Sequence, residues 1–396
     1  MIGDRMGQEE QIRVRRLKRD EHGRTRALWE EIFSEDSPAF LDYYYTQMAD
    51  HNEIYAIEDC RRLQAMLQLN PYQIQAGTYL GKMNYIVAVA TKEGCRGRGY
   101  MTALLKEACR AMYREGMPFT FLMPAAEAIY YPHGFRFIYR QKQGTVVSGQ
   151  KAPYLECIPA EESDCVEAAA FAERLLKNEK ASVYAKRDVF YYKRIRREQI
   201  SENGGLLMLR ENGVLKGLVY FASEGEEWEL REPLLETAEG NQKEWLSQAA
   251  YQLCKKEGCR MHCEGFGTEP EKPVIMARVV CLEAFFGCFM AKEDLEGDIR
   301  VSDAILPENE GRWHLSAKKG QPISASRETL IRAAALEGEE KREKKPIPVS
   351  VLMSVLSGYL SIEELERAEE NRIPAEAKSL LQKIKPWNKI VLNEIV

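Results

Sequence analysis

Residues 94–112 read GCRGRGYMTALLKEACRAM, and this stretch decides the fold. It follows the apolar run MNYIVAVAT (Met83–Thr91), which reads as a strand, and it continues into Leu104, Leu105, Ala108 and Met112, which recur at helical spacing. A strand therefore hands over to a helix through two arginines alternating with glycines. Gly94, Gly97 and Gly99 allow a tight turn and leave N–H groups uncovered, because no Cβ blocks a ligand. Those donors stand where a helix begins, so its dipole and unpaired N–H groups together favour an anion, and a pyrophosphate fits. A P-loop is excluded, since no Gly-Lys-Ser/Thr follows. A dinucleotide fingerprint lacks its acidic residue at the end of a matching second strand.

The chain of 396 residues exceeds the roughly 250–300 at which single cores stop growing, so two or three domains are expected. A hydrophobic fraction of 45% and a charged fraction of 30% are those of a globular protein. The formal charge of −5 gives no basic field for a polyphosphate chain, so nucleic acid is not an expected partner, whereas a cationic small substrate is compatible. The start lacks an apolar signal region, and no window approaches the roughly 20 apolar residues of a membrane span, so no membrane partner and a cytoplasmic location are expected. Ten cysteines without a repeating spacing suit reduced thiols. Cys254, Cys259, His262 and Cys263 lack a Cys-x-x-Cys knuckle and a distant second pair, and no metal is expected.

Along the chain, IRVRRL (Ile12–Leu17) reads as a strand, TRALWEEIF as a helix, and SPAFLDYYYTQM as a second helix with Ser37 as N-cap and Pro38 at its first position. Strands EIYAIE, RLQAMLQLN and KMNYIVAVAT precede the glycine-arginine turn; FTFLM, GFRFIYR and GTVVSG follow its helix. Residues 1–150 form one α/β domain on this reading. Residues 151–273 repeat its strand and helix order without the glycine-arginine turn, opening with a helix for which a capping box from Asp164 to Glu167 is predicted. Residues 274–396 form a third unit with a charged loop over 336–348 and the helices PVSVLMSVLSGY and SIEELERAEE.

Arg96-Gly97-Arg98-Gly99 resembles the R/Q-x-x-G-x-G/A coenzyme A turn of the GNAT superfamily of N-acetyltransferases, with Met101 where Gly or Ala is usual. IYYPHGFRF resembles the superfamily's Y-x-x-x-G-F signature, with Tyr130 four residues before Gly134-Phe135. The length, the degenerate second copy, the helix VSVLMSVLSGY and the ending NEIV resemble the Eis-type family over nearly the whole chain. That resemblance implies an α/β (α+β) chain: two GNAT-like mixed-sheet domains in tandem, then a sterol-carrier-protein-like α+β domain ending in the active site. It further implies acetyl-CoA as co-substrate and direct transfer to a primary amine of an aminoglycoside, polyamine or lysine through a tetrahedral intermediate. A homo-oligomer, a hexamer in that family, is implied as well.

The resemblance places the pantetheine arm along Val89, Ala90 and Thr91, whose backbone groups would also polarise the thioester carbonyl. Gly97, Arg98, Gly99, Tyr100, Met101 and Thr102 would cradle the pyrophosphate, and Ala125 and Ala126 would line the far side of the arm. Tyr130 is the candidate general acid, because a phenol of pKa about 10 stays protonated at neutral pH and can return a proton to sulfur. Adjacent Tyr131 is the competing assignment, and the spacing to Gly134-Phe135 favours Tyr130. No histidine stands in an obvious position for the base: His22, His51, His262 and His314 are scattered and His133 lies in a turn. In the Eis-type family the terminal carboxylate enters the active site, which by resemblance makes the α-carboxylate of Val396 the base. Asp36 and Glu394 are the candidate carboxylates for a cationic substrate. The competing expectation is a catalytically silent scaffold that binds coenzyme A or lipid.

Overall fold

Strands β3 (Arg62–Ala76) and β4 (Tyr79–Thr91) form a long antiparallel hairpin closed at Gly77, whose φ of +58° suits glycine and whose missing Cβ leaves room for the Cys288 carbonyl. The computed structural model that shows this describes residues 13–150, 152, 154–224, 227–236, 239–328, 345–368 and 373–394. The hairpin is extended on one side by β2 (Glu53–Asp59) and β1 (Val14–Arg16), and on the other by β5 (Phe119–Leu122), which runs parallel to β4.

Helices α1 (Arg26–Ile32) and α2 (Pro38–Tyr43) cover one face of this sheet; the Ser37 hydroxyl caps α2 by accepting from Phe40 N at 3.1 Å. Helix α3 (Tyr100–Arg114) covers the other, burying Leu104, Leu105, Ala108, Cys109 and Met112 against β2, β3 and β4. Each fully buried Leu or Met there contributes roughly 1.5–3 kcal/mol. The short α4 (Glu127–Tyr130) leads into β6 (Arg136–Val147), one continuous strand where two were predicted. Its length lets it serve two halves of the molecule.

The second unit comprises β7 (Leu155–Pro159), α5 (Cys165–Asn178), β8 (Val183–Ala185), α6 (Val189–Ser201), β9 (Gly205–Glu211), β10 (Val214–Glu224), β11 (Glu227–Leu235), α7 (Glu239–Cys254), β12 (Arg260–Glu264) and β13 (Glu269–Val279). The capping box predicted at Asp164–Glu167 lies one turn earlier: Asp164 accepts from Glu161 N at 2.8 Å, while Glu167 pairs with Arg210. The sheet does not break between units. Its order is β1-β2-β3-β4-β5-β13-β6-β12-β11-β10-β9-β7, so β13, which straddles position 273, inserts between β5 and β6. β6 in turn pairs with β12.

The C-terminal unit packs α8 (Leu282–Gly287) and α9 (Val349–Leu356) with the sheet of β15 (Leu295–Ser302), β16 (Gly311–Ala317), β17 (Ser324–Arg327) and β18 (Ile347–Pro348). A small ladder joins β14 (Met290–Ala291) to β19 (Ile384–Lys385), and α10 (Ile362–Ala368) and α11 (Ala375–Gln382) complete the unit. Every side chain of α9 is buried, and the helix packs on β13 and β6. The chain then returns to the first sheet: β20 (Ile390–Val391) pairs with β8, which pairs with β3. No helix among the described residues is long and apolar enough to cross a membrane.

Candidate active site

The site begins with an irregularity in β4. Val87 faces Gln68 and Ala90 faces Met66, so β4 takes three steps where β3 takes two, and Ala88 absorbs the extra residue at φ +49°. Val89 is left without a ladder partner, half-buried, between buried Ala90 and the bulge; Thr91 is half-buried at the strand end. Parallel β5 pairs with β4 at one position, Tyr85 with Phe121; β5 ends at Leu122 while β4 runs on to Thr91, so the last residues of β4 have no β5 partner and leave an opening on that edge. The Tyr85 hydroxyl accepts from Met123 N at 3.3 Å and so ties the strands just below the opening.

From the end of β4 the chain makes a 3-10 turn at Glu93–Cys95 and reaches Gly97 and Gly99, with φ of +76° and +78°. Gly99 is the N-cap of α3 and offers no side chain to its first N–H groups. A Cβ on Gly94 or Gly97 would meet open space, so the concavity in front of the helix is free for a ligand. Arg96 and Arg98 are exposed beside it, and Arg98 bonds the Gly94 carbonyl at 3.2 Å. Half-buried Tyr100, Met101 and Thr102 form the first turn, Tyr100 and Met101 packing into the α3 core. Met101 therefore points its side chain to the protein, leaving its N–H on the helix end. Uncapped donors, open glycines and two exposed arginines fit a pyrophosphate.

Across the opening, exposed Ala125 and Ala126 precede α4, with Ala126 as its extended N-cap. Tyr130 ends α4 at 8% exposure, edge-on to Phe135 at 5.7 Å, and its hydroxyl bonds no described residue. Burial pushes this phenol up to about 12, so it holds its proton at neutral pH. Tyr131 turns outward at 38% exposure, with the Arg136 guanidinium 3.4 Å over its ring. The turn after Tyr130 depends on Gly134 at φ +83°, where a Cβ would fall 2.6 Å from Arg278 Nη1. That arginine, 1% exposed on β13, donates to the His133 carbonyl at 2.6 Å and to Asp303 at 2.5 Å. Neither Arg278 nor Asp303 carries a motif, and both escape sequence inspection.

Tyr130 lies in the core on the α3 side of the sheet, whereas Tyr85, Tyr72 and the bulged Ala88 belong to the core on the other side. On that second side a group of buried carboxylates gathers. Glu198 of α6 is pushed up to about 8 by burial, with Arg194 opposing, and accepts from the Tyr43 hydroxyl at 3.4 Å. Glu394 is 2% exposed and accepts from the Tyr191 hydroxyl at 3.2 Å; burial raises it and Arg187 pulls it down. The charges of Glu198 and Glu394 are both felt at Tyr72 and Tyr85. Asp36 stands further out, half-buried, holding Trp29 Nε1 at 2.6 Å and raised by burial. It lines a cavity of about 770 Å³ with Glu35, Glu202, Glu227 and Glu229 against Arg231, Arg260 and His262. Glu229 and Arg231 also line a smaller space of about 80 Å³ that reaches Glu198, Glu232, Glu264 and Asn393. Val396, the expected base, lies outside the described residues. His262 faces Glu229 at 3.9 Å and gathers with Glu264, while Cys263 points to the opposite, buried face of β12.

Comparison with known proteins agrees with this geometry. The description "Acetyltransferase (GNAT) domain" matches residues 13–138, and "Sterol carrier protein domain" matches residues 285–389. No curated protein matches the sequence. A conserved protein from Enterococcus faecalis V583 superposes with a TM-score of 0.78 at 18% identity, covering 97% of this chain and 99% of that one. A GCN5-related N-acetyltransferase from Anabaena variabilis ATCC 29413 gives 0.73 at 13% identity over 96% and 99%. Eis1 from Mycobacterium abscessus gives 0.65 at 12% identity over 96% and 98%. The chain therefore carries a GNAT acetyltransferase domain near its start and a sterol carrier protein domain near its end, and it shares its fold over nearly its whole length with these solved structures.

Proposed function

We propose that this protein transfers acetyl from acetyl-CoA to a primary amine of a cationic, multi-amine substrate: an aminoglycoside, a polyamine or a lysine side chain. The observation that carries this reading is the opening between β4 and β5, with a protonated phenol on the α3 side and buried carboxylates on the other. The pyrophosphate would rest on Gly97–Thr102, and the pantetheine arm would run past Ala125 and Ala126 along Val89–Thr91. Alignment of amine and thioester in this slot supplies most of the rate.

The amine nitrogen attacks the thioester carbonyl carbon, whose oxygen takes the N–H of Val89 at the bulge. The C–S bond breaks, the Tyr130 hydroxyl gives its proton to sulfur, and the Val396 α-carboxylate takes the proton that nitrogen releases. Carboxylates outnumber cations in the outer cavity, which favours a substrate carrying several amines: Asp36 lines it, and Glu394 lies near enough to the slot for its charge to reach Tyr85. The protein works in the cytoplasm as a homo-oligomer, which light scattering would test by giving a multiple of the chain mass.

Thiol release from acetyl-CoA, measured with aminoglycosides, polyamines and lysine peptides, tests the proposal. Saturable release with a multi-amine compound and none with a monoamine of equal basicity is expected. Tight coenzyme binding without release under any amine would instead identify a silent scaffold.

A further inference from the structure

The second unit repeats the feature that opens the first. In β4, Val87–Ala90 spans three steps against two of β3, with Ala88 at φ +49°. In β11, Arg231–Leu234 spans three steps against Leu218–Tyr220 of β10, with Glu232 at φ +50°. Each bulged strand has a parallel neighbour, β5 or β12, and each is followed by a helix, α3 or α7. The chemistry at the bulge differs. Where Val89, which has an N–H, follows the first bulge, Pro233 follows the second with none. No glycine-arginine turn stands between Leu235 and α7. A thioester carbonyl would find no donor there, and a pyrophosphate no cradle.

What the second bulge offers is a side chain. Glutamate rarely adopts a left-handed backbone, yet Glu232 does so and turns its carboxylate inward onto Arg187 Nη2 at 3.0 Å, the two side chains 8% and 1% exposed. Arg187 stands two residues beyond β8, the strand on which β20 is zipped. The C-terminal segment then crosses the second cleft: Trp387, Ile390 and Asn393 line the same cavity of about 740 Å³ as Glu232, Pro233 and Leu234. Glu394 follows at once. Among the described residues its Oε2 is buried without a hydrogen-bond partner, and so are Nε and Nη1 of Arg187. Burial raises Glu232 and Glu394, the Glu394 charge raises Glu232 further, and Arg187 favours the charged form of both.

We propose that the second unit has exchanged coenzyme binding for seating the C-terminal tail, with Glu232 and Arg187 as positioning residues that hold Asn393 and Glu394 beside the acetyl-transfer slot. Its kinetic consequence rests on the acetyltransferase reading above; the seating itself does not.

Hydrogen exchange of residues 387–394 in the full chain tests the seating. Two variants are compared with the parent: Glu232→Gln, and Arg187→Met/Glu232→Gln, which leaves no member of the pair charged and unmatched. In both, the tail should exchange about tenfold faster, with β3 and β4 unchanged. The KM for the amine should rise about tenfold, as for a lost charge-assisted contact, while coenzyme affinity stays within about twofold. Glu232→Asp should recover part of that loss, and calorimetric titration should find one coenzyme site per chain. Unchanged tail exchange in both variants, or two coenzyme sites per chain, would overturn the proposal. Faster exchange throughout β9–β11, with both KM values raised, would mark the pair as merely structural and overturn it as well. If no amine is acetylated, the exchange result still decides the seating while the catalytic reading fails.

Discussion

Replacing Val89 by proline copies into the first unit the residue that the second carries after its own bulge. Val89 lies between the paired residues Val87 and Ala90 and has no ladder partner, so proline there disturbs no register pair. The Glu232-Pro233 pair shows that a residue near φ +50° is compatible with proline after it. Stability should therefore fall by no more than about 1–2 kcal/mol. On the proposed mechanism, what is lost is the one N–H that Val89 offers to the carbonyl oxygen on which negative charge develops. Losing a single such donor costs about 10²–10³ in kcat, roughly 2.7–4 kcal/mol of transition-state stabilisation. The assay is steady-state thiol release with a saturating amine, alongside calorimetric titration of coenzyme and thermal unfolding. Val89→Ala, which keeps the N–H, should stay near the parent rate. Turnover of Val89→Pro within threefold of the parent, in a folded protein that binds coenzyme, would refute the role of the bulge.

Tyr130→Phe keeps the edge-on packing against Phe135 but removes the proposed acid, so kcat should fall about 10²-fold or more with little change in coenzyme affinity. Tyr131→Phe, on the exposed side under Arg136, should be neutral, and the reverse pattern would transfer the acid role to Tyr131. Appending one glycine after Val396 moves the terminal carboxylate, and the rate should collapse; a tolerant extended chain would remove that group as the base. Glu198 titrates near 8 when folded against 4.5 ordinarily, so the folded chain holds a proton that the unfolded chain has released. Its contribution is then fully present below about pH 4.5 and is lost as pH rises through 8, with a slope of up to about 1.4 kcal/mol per pH unit. Urea midpoints of the parent and Glu198→Gln should therefore diverge in favour of the variant between pH 5 and 8, and parallel curves would contradict this assignment.

The turn at Gly97 and Gly99 was legible in the sequence because its requirements are local: positive φ, no Cβ, and a helix starting at the next residue. Tyr130 was legible for the same reason, through the turn at Gly134, although the force that keeps this glycine is distant: Arg278 presses on it from β13. The shared sheet was not legible. β6 looked like two short strands because Gly144 interrupts its pattern, whereas in the fold Gly144 lets Gly267 pass close by. The capping box slipped by one turn because Asp164 serves as the N3 partner of Glu161, each side chain accepting from the other's backbone N–H, rather than as the N-cap itself. The buried carboxylates were hidden most deeply. Glu198 and Arg194 sit four apart in FYYKRIRREQI, a helix so charged that no apolar stripe announces which face is inside, and it is the packing of α6 against α5, α2, β9 and β10 that buries Glu198 and partly covers Arg194. Glu232 reads as one more acidic residue until the bulge turns it inward.

The most direct test of the account is mass spectrometry of a polyamine and of an aminoglycoside after incubation with acetyl-CoA and the full chain, run beside Tyr130→Phe. Acetylated amine in one-to-one proportion with released thiol, formed by the parent and nearly absent with the variant, is the predicted result. Coenzyme bound tightly in the slot between β4 and β5, with no acetylated product from either amine, would contradict it.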